Sequence, residues 1–158
     1  MTDHLASTNA LDVLKLWYAR GCTALHIAFM RKDAKVLSIL LKRNPYLRAR
    51  DNDGNTALHL AILRNSTAAA EIILNYINTN TLKCGKEIVN SVNNENETAL
   101  HVAVDLNDVS SIKLLLNNHA NLRVRDKYSG NTALHRAVRD GNLDAIECIG
   151  SCVEKRDL

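Results

Sequence analysis

One tetrapeptide occurs four times in this chain of 158 residues: Thr23-Ala24-Leu25-His26, Thr56-Ala57-Leu58-His59, Thr98-Ala99-Leu100-His101 and Thr132-Ala133-Leu134-His135. Its threonines are 33, 42 and 34 residues apart (56−23, 98−56, 132−98). An identity recurring near one period predicts a solenoid, a stack of similar units that bury their apolar faces only against one another. A single unit of about 33 residues has too little core to stand alone, so the four must stack.

Each unit reads outward from its threonine. Threonine is a good helix N-cap, because its hydroxyl can accept from the orphan amides of the first turn. The histidine three residues on shares that face, within reach of the hydroxyl. Five residues after each threonine comes alanine (Ala28, Ala61, Ala103, Ala137), small enough to let neighbouring helices approach closely. Positions 14, 17 and 18 form the stripe of a second helix: Leu37, Leu40 and Leu41; Ala70, Ile73 and Leu74; Ile112, Leu115 and Leu116; Ile146, Ile149 and Gly150. Polar turns separate the helices at Lys32-Asp33, Asn65-Ser66, Asn107-Asp108 and Asp140-Gly141-Asn142. Asp51-Asn52-Asp53-Gly54-Asn55 and Asp126-Lys127-Tyr128-Ser129-Gly130-Asn131 then read as tight hairpin-like loops. The expected class is all-α. Aromatics are only 4% of the chain, so the core is expected to be aliphatic.

Two spacings depart from the period. The interval of 42 carries an insertion at about 77–91, which either extends the second helix of its unit or forms a long finger loop, functional or merely tolerated. The interval of 34 places one extra residue at Lys127-Tyr128-Ser129, a bulged hairpin. The ends differ as well. Residues 1–9 are expected to be flexible, and 10–19, with Leu11, Leu14 and Trp17 behind Asn9, to form an N-terminal capping helix. In the last unit Arg136 replaces Ile27, Leu60 and Val102 four residues after the threonine, and Gly150 replaces leucine. These changes predict a polar C-terminal capping repeat, with nothing further downstream.

A net charge of +3 is too small to argue for nucleic acid. No apolar run reaches the roughly 20 residues of a membrane span. Cys22, Cys84, Cys148 and Cys152 fit no disulfide framework or zinc-finger spacing and are expected as free thiols. No nucleophile motif, P-loop, HExxH or paired-carboxylate pattern is present, so neither catalysis nor a cofactor or metal is expected. The four tetrapeptide histidines are assigned a structural role with their threonines (Thr23 and His26, Thr56 and His59, Thr98 and His101, Thr132 and His135), while His4 and His119 stand outside the pattern. Arg48, Arg50, Arg123, Arg125 and Lys127 would form a basic stripe along one edge. A solvated face is favoured for it over a phosphate or acidic-partner site, because it lacks interleaved aromatics.

The units resemble ankyrin repeats. Asp51-Asn52-Asp53-Gly54-Asn55 followed by Thr-Ala-Leu-His-Leu-Ala-Ile at 56–62 is similar to that family's Asp-x-x-Gly-x-Thr-Pro-Leu-His-x-Ala pattern, with alanine in place of the proline. The resemblance implies one ankyrin domain over 10–158, with repeats at about 20–50, 51–92, 93–125 and 126–158. A narrower resemblance lies in the order of spacings. The inhibitors of NF-κB, the IκB family, carry a long insertion followed by a hairpin one residue longer, and here 33, 42 and 34 follow in that order. The chain contains no Asp-Ser-Gly-x-x-Ser phosphodegron and no acidic tail, which makes it look like the viral ankyrin proteins (vankyrins) of polydnaviruses.

That resemblance implies a constitutive, non-catalytic inhibitor of host immune signalling. It would bind a Rel/NF-κB-type transcription factor dimer in the cytoplasm of the host cell, with the nucleus as a second location. No small-molecule substrate, membrane or direct nucleic-acid contact is expected, and the chain would be a monomer or weakly self-associating. The alternative is a generic ankyrin adaptor for a cell-death, cytoskeletal or ubiquitin-pathway protein; a phosphate binder through the arginine stripe ranks third. Ankyrin stacks bind through hairpin tips and first helices, which nominates Met30, Arg31, Arg50, Asn52, Asp53, Arg64, Glu95, Asn96, Asp105, Leu106, Lys127, Tyr128, Arg139 and Asp140. Acidic residues in the loops (Asp51, Asp53, Glu95, Glu97, Asp105, Asp108, Asp126) would supply a local patch for a basic partner.

Overall fold

The computed structural model describes residues 23–31, 34–42, 46–80 and 85–156. The expected helix at 10–19, the flexible 1–9, His4, Cys22, Cys84 and the Lys32-Asp33 turn lie outside the described residues. Each tetrapeptide starts a helix. Thr56, Thr98 and Thr132 sit just before the first turn with extended backbone (φ −84, −86 and −83°), as an N-cap requires.

The elements are α1 (Ala24–Met30), α2 (Ala34–Lys42), α3 (Ala57–Leu63), α4 (Thr67–Thr79), α5 (Gly85–Val89), α6 (Ala99–Asp105), α7 (Val109–Asn117), α8 (Ala133–Arg139) and α9 (Leu143–Arg156). There is no strand among the described residues. The four short helices α1, α3, α6 and α8 pack in one row, and α2, α4, α7 and α9 in a second row behind it. The seven-residue helices of the first row are held by this packing, because isolated helices of that length are not stable in water.

The core is aliphatic and continuous through the stack. Leu37, Ala61, Ile62, Ala70, Ala103, Ile112, Leu115, Ala137 and Ile149 are fully enclosed. Ala28, Ala61, Ala103 and Ala137 all lie in the core, where a larger side chain would push adjacent first helices apart. The turn between paired helices needs a left-handed residue nine positions after the threonine: Asn65 (φ 51°), Asn107 (53°) and Gly141 (67°). Asparagine tolerates that region and glycine enters it freely.

The insertion is ordered structure where it is described. It lengthens α4 to 13 residues, against nine in α2 and α7, and then adds α5. Ile77, Ile88 and Val89 from this segment join the core. Glu87 of α5 pairs with Arg48 in the loop before repeat two, and the Asn90 side-chain oxygen accepts the Asn121 N–H at 2.6 Å. The segment therefore links the loop before repeat two to the loop that follows α7 in repeat three.

The expectation for the last repeat needs a correction. Arg136 does not point to the side on which a following repeat would stack; it is buried (8% exposed) against repeat three. The positions that face the next repeat are two and six residues after the threonine. There Leu58, Ile62, Leu100 and Val104 are buried, whereas Leu134 and Val138 of the last repeat are 36% and 60% exposed. Gly150 is exposed as well.

Candidate interaction surface

The threonine and histidine of each tetrapeptide make the same local arrangement four times. The threonine N–H donates to the histidine Nδ1 at 3.0, 3.3, 3.2 and 3.3 Å, and the hydroxyl lies 2.7–2.9 Å from the same nitrogen. With Nδ1 accepting, the proton belongs on Nε2. That nitrogen donates to the backbone carbonyl just before the next threonine: His26 to Asn55 (3.2 Å), His59 to Glu97 (3.0 Å) and His101 to Asn131 (3.3 Å). Burial pushes all three imidazoles below their ordinary pKa, against the partial pull of those carbonyls, so they are neutral at pH 7. Each buried ring thus ties a helix start to the hairpin of the following unit.

The hairpins share one design. Asp51 N–H donates to the Asn55 carbonyl (3.0 Å) while the Asp51 carboxylate accepts the N–H of Asp53 and Asn55 (3.0 and 2.8 Å). Asn93 does the same for Glu95 and Glu97. In the third hairpin the closing bond runs from Asp126 N–H to the Asn131 carbonyl (2.8 Å), one residue wider, as the spacing of 34 predicts. Successive hairpins are then laced together. Asn94 donates its N–H to the Asp53 carbonyl (3.0 Å) and its side-chain amide to the Asn52 carbonyl (2.8 Å). Lys127 N–H donates to the Glu95 carbonyl (2.8 Å), and the Asn96 side chain to the Arg125 carbonyl (2.7 Å). Glycine is required at Gly54: φ is +78°, and a Cβ there would fall 2.4 Å from the Asn94 Oδ1.

This lacing leaves the hairpin tips fixed and their side chains outward. Arg50, Asn52, Asp53, Glu95, Asn96, Lys127 and Tyr128 are exposed, as are Arg31, Arg64, Asp105, Leu106, Arg139 and Asp140 near the ends of the first helices. Backbone Met30 lies at the end of α1, but its side chain is outside the described set. The Lys127 ammonium stands 5.7 Å over the Tyr128 ring, and Arg139 pairs with its neighbour Asp140 (2.7 and 3.0 Å). Between the first two laced hairpins and the first helices lies a groove of about 280 Å³. It is lined by the outward Asp53 and Glu95, by Glu97, which Arg136 holds, and by the exposed Leu63 over the buried Val102. The two outward carboxylates beside Leu63 suit a basic segment with an apolar side chain. Leu63 and Asn94 are additions to the residues nominated from sequence. Leu63 carried a signal, since seven residues after the threonine it is the one aliphatic residue among Met30, Asp105 and Arg139.

The acidic residues of the loops do not act as one patch. Arg136 reaches from α8 to three of them: Asp126 at 2.9 and 3.1 Å, Glu97 at 2.7 Å, and Asp105. Burial alone would raise the Asp126 carboxyl, but Arg136 and the backbone N–H of Ser129 and Asn131 hold it at about 2. Burial opposes the charge on Arg136, yet its bonds to Asp126 and Glu97 raise its pKa further. Asp105 is shifted up by burial in spite of Arg136. Asp51 is engaged in its hairpin, and Asp108 caps α7 by accepting the Ser111 N–H. Asp53 and Glu95 remain the outward carboxylates. The arginine stripe is divided in the same way: Arg48 pairs with Glu87, and Arg125 donates to the Gly130 carbonyl at 2.7 Å.

Comparison with known proteins places the repeat. The family model described as ankyrin repeats, in three copies, matches residues 3–83 and again 77–155. Among curated proteins, the tyrosine-protein kinase Shark of Drosophila melanogaster is 34% identical over 126 residues, 78% of this chain. Those residues are 12% of that kinase, so the likeness concerns a small part of it.

Proposed function

The chain belongs to the ankyrin-repeat family, a class of protein–protein interaction modules, and on that premise we propose that it is a non-catalytic, IκB-like inhibitor that binds a Rel/NF-κB-type transcription factor dimer. The observation that carries this reading is the groove between the first two laced hairpins. Asp53 and Glu95 beside the exposed Leu63 offer negative charge and an apolar contact on a fixed surface. A nuclear-localisation segment, rich in lysine and arginine, is complementary to it in charge. The insertion, helical where it is described, followed by the wider hairpin supports the same reading, because that order is the one the IκB family shows.

The experiment mixes the full chain with a Rel-homology dimer and its DNA site. Expected are a complex at micromolar concentration and displacement of the dimer from DNA. Asp53→Lys combined with Glu95→Lys should weaken that complex at least about tenfold, since like charge across an interface is repulsive. Absence of a complex at micromolar concentration overturns the reading. Charge complementarity alone equally admits an adaptor for another basic protein, and an affinity capture that recovers such proteins and no Rel factor would favour that alternative.

A further inference from the structure

Cys148 and Cys152 stand one turn apart on α9, both free thiols and both half-buried against the edge of the core. They line a groove of about 410 Å³ between α7 and α9, two helices of the second row, together with the buried Leu116. Lys113 of α7 and Lys155, three residues after Cys152, line the same groove, as do Asp144 and Glu147. Residues four apart on a helix hold their Cβ atoms about 5–6 Å from each other. An unstrained disulfide needs about 3.5–4.5 Å. The unbroken helix from Leu143 to Arg156 fixes the longer spacing. The two sulfurs are therefore better placed to share one ion than to bond to each other.

From this we propose that Cys148 and Cys152 form a site for a soft monovalent cation, Cu(I). Thiolate sulfur selects that ion by softness. Among the described residues no group of three histidines, cysteines or carboxylates could hold a metal, which leaves Zn(II) short of its four ligands. Cu(I) is satisfied by two thiolates in a near-linear arrangement. Loading breaks two S–H bonds, forms two S–Cu bonds and releases two protons to solvent, with no change of oxidation state. The product carries one net negative charge. The two lysines and two carboxylates of the groove cancel before loading, so Lys113 and Lys155 are the cations available to turn toward it. The site uses neither Asp53 nor Glu95, and stands or falls separately from the choice of Rel partner.

The test adds the full reduced chain, under argon, to Cu(I) held by bathocuproine disulfonate and follows the loss of the chelator's colour. The chain should withdraw a single equivalent, and native mass spectrometry should find it in a chain of 17.5 kDa and not in a bridged pair. Cys22→Ser combined with Cys84→Ser should leave that equivalent in place, whereas Cys148→Ser or Cys152→Ser should abolish it. Cys148→Ala and Cys152→Ala take their place if the serine variants lose helical circular dichroism. Lys113→Ala combined with Lys155→Ala should weaken retention severalfold at unchanged stoichiometry. X-ray absorption of the loaded parent should give two sulfur neighbours per copper. The proposal is overturned by a chain that withdraws no copper, by uptake that survives loss of both Cys148 and Cys152, or by copper that joins two chains.

Discussion

At Arg136 one guanidinium meets the carboxylates of Glu97, Asp105 and Asp126, with the arginine side chain 9% and that of Asp126 4% exposed. Leu60 and Val102 hold the equivalent place in the inner repeats, so an aliphatic replacement fits sterically. Electrostatically it does not fit, because it leaves Asp126 charged, enclosed and without its cation. Arg136→Leu is therefore expected to lower stability by roughly 3–5 kcal/mol, the cost of breaking a buried pair from one side. Adding Asp126→Asn should restore part of the loss. Urea titration of both variants checks this, and a single variant as stable as the parent would show that the cluster adds nothing. Sequence reading identified position 136 as unusual and misjudged its direction. A side chain four residues after a helix start can face either neighbour, and only the positions of Glu97 and Asp105 on repeat three select the side.

For the elements, the helices and hairpins were legible because each has a local cause. Thr starts a helix, Asn or Gly reverses it, and Asp or Asn nucleates the hairpin through its own side chain. The insertion was legible as a count of residues and no more, since Tyr76 to Val92 admits a longer helix or a loop. The structure uses a lengthened α4 followed by α5, because Ile77, Ile88 and Val89 can then enter the core. Ile88→Ala should cost about 2–5 kcal/mol by leaving a cavity. Glu87→Ala, which removes an exposed partner of Arg48, should cost less than about 1 kcal/mol. Thermal melts of the two variants give the comparison; equal effects would mean that α5 is held by its ion pair and not by burial.

Across the whole molecule, the neutral histidines connect stability to pH. The folded pKa values of His26, His59 and His101 lie below the ordinary 6.5, so the unfolded chain takes up protons first on acidification. Their contribution is complete above about 6.5 and declines as pH falls from there toward the folded values. Asp126 acts lower down: with its folded pKa at about 2, its contribution is present above the unfolded value of roughly 3.9 and is lost as pH falls through 2. The Tm followed by circular dichroism should therefore be lower at pH 5 than at pH 7.5, and fall again below pH 4. A Tm unchanged between pH 7.5 and 5 would contradict neutral, buried rings at the three repeat interfaces.

The sequence by itself determined the repeat, its helix starts, its turns and the one-residue widening of the third hairpin. Each of these depends on interactions within a few residues, and the tetrapeptide marks where they begin. Tertiary structure alone decided which side of a repeat each position faces. It sent Arg136 into repeat three, divided the acidic loop residues between hairpin, cluster and surface, and left Leu134 and Val138 uncovered. Those outcomes depend on the rotation of one unit onto the next, a relation between residues about 30–40 apart. Spacing along the chain records how often the unit recurs and leaves that rotation unspecified.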